Sequence, residues 1–123
     1  MYSVIATLML VSCKKAPERT IERGTWKITS FNDNGKDVSA NFTGYNMEFL
    51  DDGTVKGGYN QGTFDKGVWS YNEDSKKITV EFPISCIAIK FNFDWSIKSR
   101  SRKIIQLEHF DVWDSRSATL ERN

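Results

Sequence analysis

Histidine occurs once in this 123-residue chain, at position 109, and cysteine twice, at 13 and 86, so catalytic or metal chemistry has few side chains to draw on. Asp111 and Asp114 follow His109 and are acids of the kind that orient an imidazole base, whereas Glu108 falls on the opposite face of any strand through this region. No nucleophile stands beside a base, no carboxylates pair at acid–base spacing, and no His, Cys, Asp and Glu share metal-ligand spacing. Asp51-Asp52-Gly53 and Asn32-Asp33-Asn34-Gly35 lack the spacing of a calcium loop and read as turns. Cys86 has no basic neighbour in sequence to lower its pKa and reads as a small buried hydrophobe. The expectation is a non-enzymatic protein with no resident cofactor and no metal.

Composition narrows the remaining choice, which is binding. Charged residues make up 27% with a formal net charge of +1, so no global field draws the chain to nucleic acid. Positive charge does gather at Lys98, Arg100, Arg102 and Lys103, a solvated turn that could meet anionic lipid headgroups. Aromatics reach 13%, with four Trp and eight Phe, which favours a β-fold whose few interior positions hold large rings. The length suits one domain with a modest core.

The elements that must position these residues follow from period-two alternation punctuated by turn residues. Eight strands are expected: Gly24–Phe31, Tyr45–Phe49, Thr54–Tyr59, Gly67–Tyr71, Ile78–Phe82, Ile87–Ile97, Lys103–Phe110 and Ser117–Arg122. The sixth is the longest, with Ile87, Ile89, Phe91, Phe93, Trp95 and Ile97 on one side and Lys90, Asn92, Asp94 and Ser96 on the other. Gly57-Gly58 suggests a bulge or sharp bend. Short strands joined by brief connections describe an all-β, antiparallel, eight-stranded up-and-down barrel, which leaves no exposed edge; an open β-sandwich is the alternative.

Two resemblances add to this reading. An apolar run, Val4 to Val11, leads into Leu10-Val11-Ser12-Cys13, which resembles the bacterial lipobox. The resemblance implies that residues 1–12 are a lipoprotein signal peptide, that Cys13 is lipidated and becomes the new N-terminus, and that residues 13–23 form a tether to a domain spanning 24–123. It also implies a bacterial cell-envelope protein anchored to the membrane through Cys13, with Lys14 favouring the outer membrane. No Lys or Arg precedes the apolar run, as expected if the true start lies upstream of Met1. With Cys13 acylated, Cys86 has no disulfide partner. Further on, Gly24-Thr25-Trp26 resembles the opening of the lipocalin first strand. Its order with Phe49-Leu-Asp-Asp-Gly, Gly67-Val-Trp, Lys77-Ile-Thr-Val and Trp95-Ser-Ile is similar to the lipocalin-like domain of envelope lipoproteins. Lipocalins lay a basic side chain across that first Trp, a role the resemblance gives to Arg122, so Gly24, Trp26 and Arg122 are the expected structural set.

Meander order sorts the connections by barrel end. Asn32 to Gly44, Asn60 to Lys66, Pro83 to Cys86 and Asp111 to Arg116 fall at the mouth, opposite Trp26. Those loops and their shoulders carry Phe42, Tyr45, Tyr59, Phe64, Ile87 and Trp113, the expected ligand-binding set. Two functions remain in competition. One is a small apolar or amphipathic ligand held at the mouth. The other is a protein-interaction module of an envelope complex with a filled interior.

Overall fold

Inward residues alternate with outward ones along most of the barrel wall, and the two ends are closed by segments with a different period. The computed structural model describes residues 16–59 and 65–123. The strands are β1 (Thr25–Asp33), β2 (Lys36–Asp37), β3 (Tyr45–Phe49), β4 (Thr54–Tyr59), β5 (Asp65–Asn72), β6 (Lys77–Glu81), β7 (Asp94–Arg100), β8 (Ile104–Phe110) and β9 (Ser115–Arg122). β2 is a two-residue hairpin arm on the end of β1, turned by Asn34-Gly35. The other eight pair antiparallel in chain order, and β9 returns to β1 with Trp26 opposite Arg122 and Ile28 opposite Leu120. That last pairing closes the barrel and removes the open sandwich from consideration.

Inside lie Met47 and Phe49 of β3, Val55 of β4, Trp69 of β5, Ile78 and Val80 of β6, Ile105 and Leu107 of β8, and Ala118 and Leu120 of β9. On β1 the register against β9 shifts between Ile28 and Ser30. The extra residue turns Phe31 inward after Trp26 and Ile28, where unbroken alternation would have put Ser30.

Three expectations are corrected. The run Ile87–Ile97 is not one strand: Ile87–Phe91 forms a 3₁₀ helix, η2, and β7 begins only at Asp94. With three residues per turn the buried pair is Ala88 and Phe91, while Ile87 is exposed. Asn92 occupies the vacated place beside Phe82, accepting from Phe82 N at 2.7 Å and donating to Phe82 O at 2.8 Å. Its amide supplies the pairing that a strand would have supplied.

The tether is the second correction. Ala16–Ile21 forms a helix, α1, that packs on the barrel with Ile21 fully buried. A single buried side chain in six residues carries no helical period, which is why the segment reads as polar spacer.

Third, Gly57-Gly58 forms no bulge, since β3 and β4 pair in regular register from Tyr45 opposite Tyr59 to Phe49 opposite Val55. The Tyr45 ring lies against Gly57 and fills the space a Cβ would need.

Candidate functional site

The closed end is built around Trp26. Its indole Nε1 donates to Ile21 O at 2.9 Å, tying α1 to β1, and the ring itself is fully buried. From β9, the Arg122 guanidinium carbon stands 4.8 Å from the Trp26 ring centroid, a cation–π contact, and Nη2 donates to Thr20 O at 2.9 Å. Arg100 on β7 donates to Thr20 Oγ1 at 3.0 Å. Gly24, at φ +73°, makes the turn from α1 into β1. Three side chains from separated strands, Trp26, Arg100 and Arg122, thus hold one helix against the barrel floor. Beside them a cleft of about 240 Å³ is lined by Ala16, Thr20 and the arginines at 19, 23, 100, 102 and 122.

At the mouth, two long connections fold inward. The first carries a short 3₁₀ helix, η1 (Ser39–Phe42), and the second carries η2. Phe42 and Phe91 meet with ring centroids 5.8 Å apart, and Phe31 stacks on Phe42 at 5.2 Å and meets Phe91 edge-on at 5.1 Å. Trp95 closes the cluster at 5.4 Å from Phe91, with its Nε1 donating to Phe91 O at 2.9 Å. All four rings are buried, so the upper barrel is packed with aromatic side chains.

The expected ligand-binding residues are therefore dispersed. Phe42 is part of the core, and Tyr45 is buried with its hydroxyl donating to Asp65 Oδ2 at 2.8 Å. That burial, with the Asp65 carboxylate alongside, pushes the Tyr45 phenol well above its usual range. Tyr59 packs edge-on against Tyr45 at 5.2 Å and donates to Asn41 O at 2.6 Å, pinning η1 to β4. Ile87 faces solvent on η2, and Trp113 is 87% exposed on the β8–β9 turn. Phe64 and Cys13 lie outside the described residues. A concavity of about 470 Å³ crosses β4 to β6 between Thr54, Val68 and Phe82, and none of the described residues of the expected set lines it.

What the mouth presents outward is an apolar rim. Phe110 at 65%, Val112 at 89% and Trp113 project from the β8–β9 hairpin, with Ile84 and Ile87 on the neighbouring connection. Asp111 Oδ1 accepts from Trp113 N and Asp114 N, both at 2.7 Å, and Asp111 N donates to Asp114 O at 2.9 Å. These backbone donors, joined by His109, hold the Asp111 carboxyl below its usual range. His109 has Nδ1 2.9 Å from Asp94 O and Nε2 3.0 Å from Asp111 Oδ2, so it serves as a strut between β7 and the hairpin tip. Among the described residues these are its two ring-nitrogen partners. Arg116 adds an ionic seam: its Nε lies 2.9 Å from Asp33 Oδ1, its Nη2 lies 3.3 Å from Asp114 Oδ1, and its guanidinium covers the Phe93 ring at 4.0 Å. Lys90 of η2 meets the same Asp33 at 3.4 Å.

Cys86 is half-buried against the core, and burial, with Asp65 next in effect, raises its thiol above the ordinary value. A thiol so placed is a poor nucleophile. Among the described residues no three metal-ligating side chains gather, and no helix is long and apolar enough to cross a membrane.

No family model matches the chain, and no curated protein matches it. Among solved structures it is similar to the crystal structure of a DUF4847 family protein from Bacteroides vulgatus ATCC 8482. The TM-score is 0.63 at 17% identity, covering 88% of this chain and 98% of that one. The likeness is one of fold, and it extends over nearly the whole barrel.

Proposed function

We propose that the protein is a lipid-anchored, non-enzymatic module of the bacterial cell envelope, tethered through Cys13, favouring the outer membrane, and working by protein–protein contact. The lipocalin-like resemblance and the lipobox at Leu10-Val11-Ser12-Cys13 support the anchor and the compartment. The observation that carries the choice of function is the filled mouth. Phe42 and Phe91 occupy, with Phe31 and Trp95, the volume that an apolar ligand would need. Apolar area faces outward instead, on Phe110, Val112 and Trp113. A hairpin fixed by Asp111 presents an aromatic anchor with little ordering left to lose on binding, which is what an interface centre requires.

A photoreactive phenylalanine analogue placed at position 113 in the full chain tests this in intact cells. The reading expects one discrete protein adduct, absent when the analogue sits at position 56 on the barrel wall, and abolished by Phe110→Ser with Val112→Ser in a folded protein. No adduct from 113, or the same pattern from both positions, would contradict it.

A further inference from the structure

The cleft at the closed end is unlike the rest of the surface, because arginines from three separated segments converge on it. Arg19 and Arg23 come from α1 and its exit, Arg100 and Arg102 from the end of β7 and the turn beyond, and Arg122 from the end of β9. Among the described residues that line the cleft none is a carboxylate. Arg100 and Arg122 are fixed from beneath by hydrogen bonds to Thr20, and Arg122 is further held over Trp26. Arg23 and Arg102 are exposed at the edge. With an overall formal charge of only +1, five guanidinium groups around about 240 Å³ are a local concentration of positive charge, not a sample of a basic protein.

Position in the chain selects the occupant. α1 begins three residues after Cys13, a span of at most about 11 Å when fully extended. If Cys13 carries acyl chains, the α1 end of the barrel is held beside the bilayer, and the aromatic rim at the mouth points away from it. We infer that the arginine cleft binds the phosphate of an anionic phospholipid headgroup in the membrane that holds the anchor, which fixes the barrel upright and presents the hairpin tip outward. This rests on the Cys13 reading, and it adds a second, electrostatic membrane contact to the acyl one.

The full-length Cys13→Ser chain, which cannot be acylated, is sedimented with vesicles of phosphatidylcholine alone and with vesicles containing phosphatidylglycerol. The expected result is binding that depends on phosphatidylglycerol, weakened on the order of tenfold or more by Arg23→Gln with Arg102→Gln. It should be unchanged by Lys36→Gln with Lys56→Gln, which removes the same charge elsewhere, and unaffected by millimolar inorganic phosphate at constant ionic strength. Matching thermal midpoints for the two double variants exclude a folding effect. Equal binding to both vesicle types, equal losses in both double variants, or displacement by inorganic phosphate would each overturn the headgroup site. Failure of the anchor reads out separately, as the absence of acyl mass on Cys13 in the wild-type protein purified from its own cells, whatever the vesicles show.

Discussion

Arg122 and Trp26 face each other across the seam that closes the barrel: they are register partners of β9 and β1, and the guanidinium lies 4.8 Å from the indole centroid. One side chain thereby joins the last strand to the first and, through Thr20 O, to the preceding helix. Replacing Arg122 by Ala should lower stability by about 2 kcal/mol, the sum expected of a half-buried cation–π contact and a charged hydrogen bond. Arg122→Lys should recover only part of this, since an ammonium lacks the planar fork that stacks and donates together. Urea unfolding followed by tryptophan fluorescence checks both.

Gly57 should be intolerant of any side chain. A Cβ there would strike the Tyr45 ring and force its hydroxyl off Asp65. Gly57→Ala is expected to cost about 1–3 kcal/mol through overpacking. The loss should shrink in a Tyr45→Leu background, where the ring is gone, and a double-mutant cycle measures the coupling.

Phe91 and Phe42 should behave as one packing unit. Each Phe→Ala change is expected to cost about 3–5 kcal/mol, and the double variant less than the sum because the rings share one cluster. The cavity left by Phe91→Ala should admit an apolar fluorophore that the native barrel excludes. Fluorescence titration of variant and wild type side by side makes the comparison.

Acid stability should depend on Asp111. Its folded pKa lies below the usual carboxylate value of 3.8, so its contribution is fully present above that value and is lost as pH falls through the folded one. Asp37 and Asp52 are shifted the same way, chiefly by their bonds to Ser39 and Thr54. Asp111→Asn should therefore be less stable than wild type at pH 7, with the gap closing as pH falls through the folded pKa. Tyr45 acts on the opposite limb: its raised pKa gives stability that is lost as pH climbs above 10, so Tyr45→Phe should flatten the alkaline decline.

The barrel wall was legible in the sequence because inward and outward residues alternate with the strand period. Trp26 and Ile28, Met47 and Phe49, Ile78 and Val80, and Ile105 and Leu107 all face inward as their parity demands. The ends were not legible, since each is closed by a segment whose buried residues are too few to carry a period. Ile21 is alone in α1, and Ala88 with Phe91 makes one 3₁₀ repeat inside a run that also satisfies period two. The clue lay in Ala88, the apolar residue on the nominally wet face, next to an Asn92 able to stand in for backbone. At the candidate site, sorting loops by barrel end put the aromatic residues at the mouth, but their inward or outward direction depended on η1 and η2. Arg116, within a polar stretch, gave no sign that it would bind Asp33 and cover Phe93.

Native mass spectrometry of the protein extracted from its own membranes tests the central claim, a solid barrel that works from its surface. The account predicts the mass of the polypeptide with its acyl groups, alone or with a co-purifying protein. A stoichiometric apolar small molecule retained by the folded chain would contradict it.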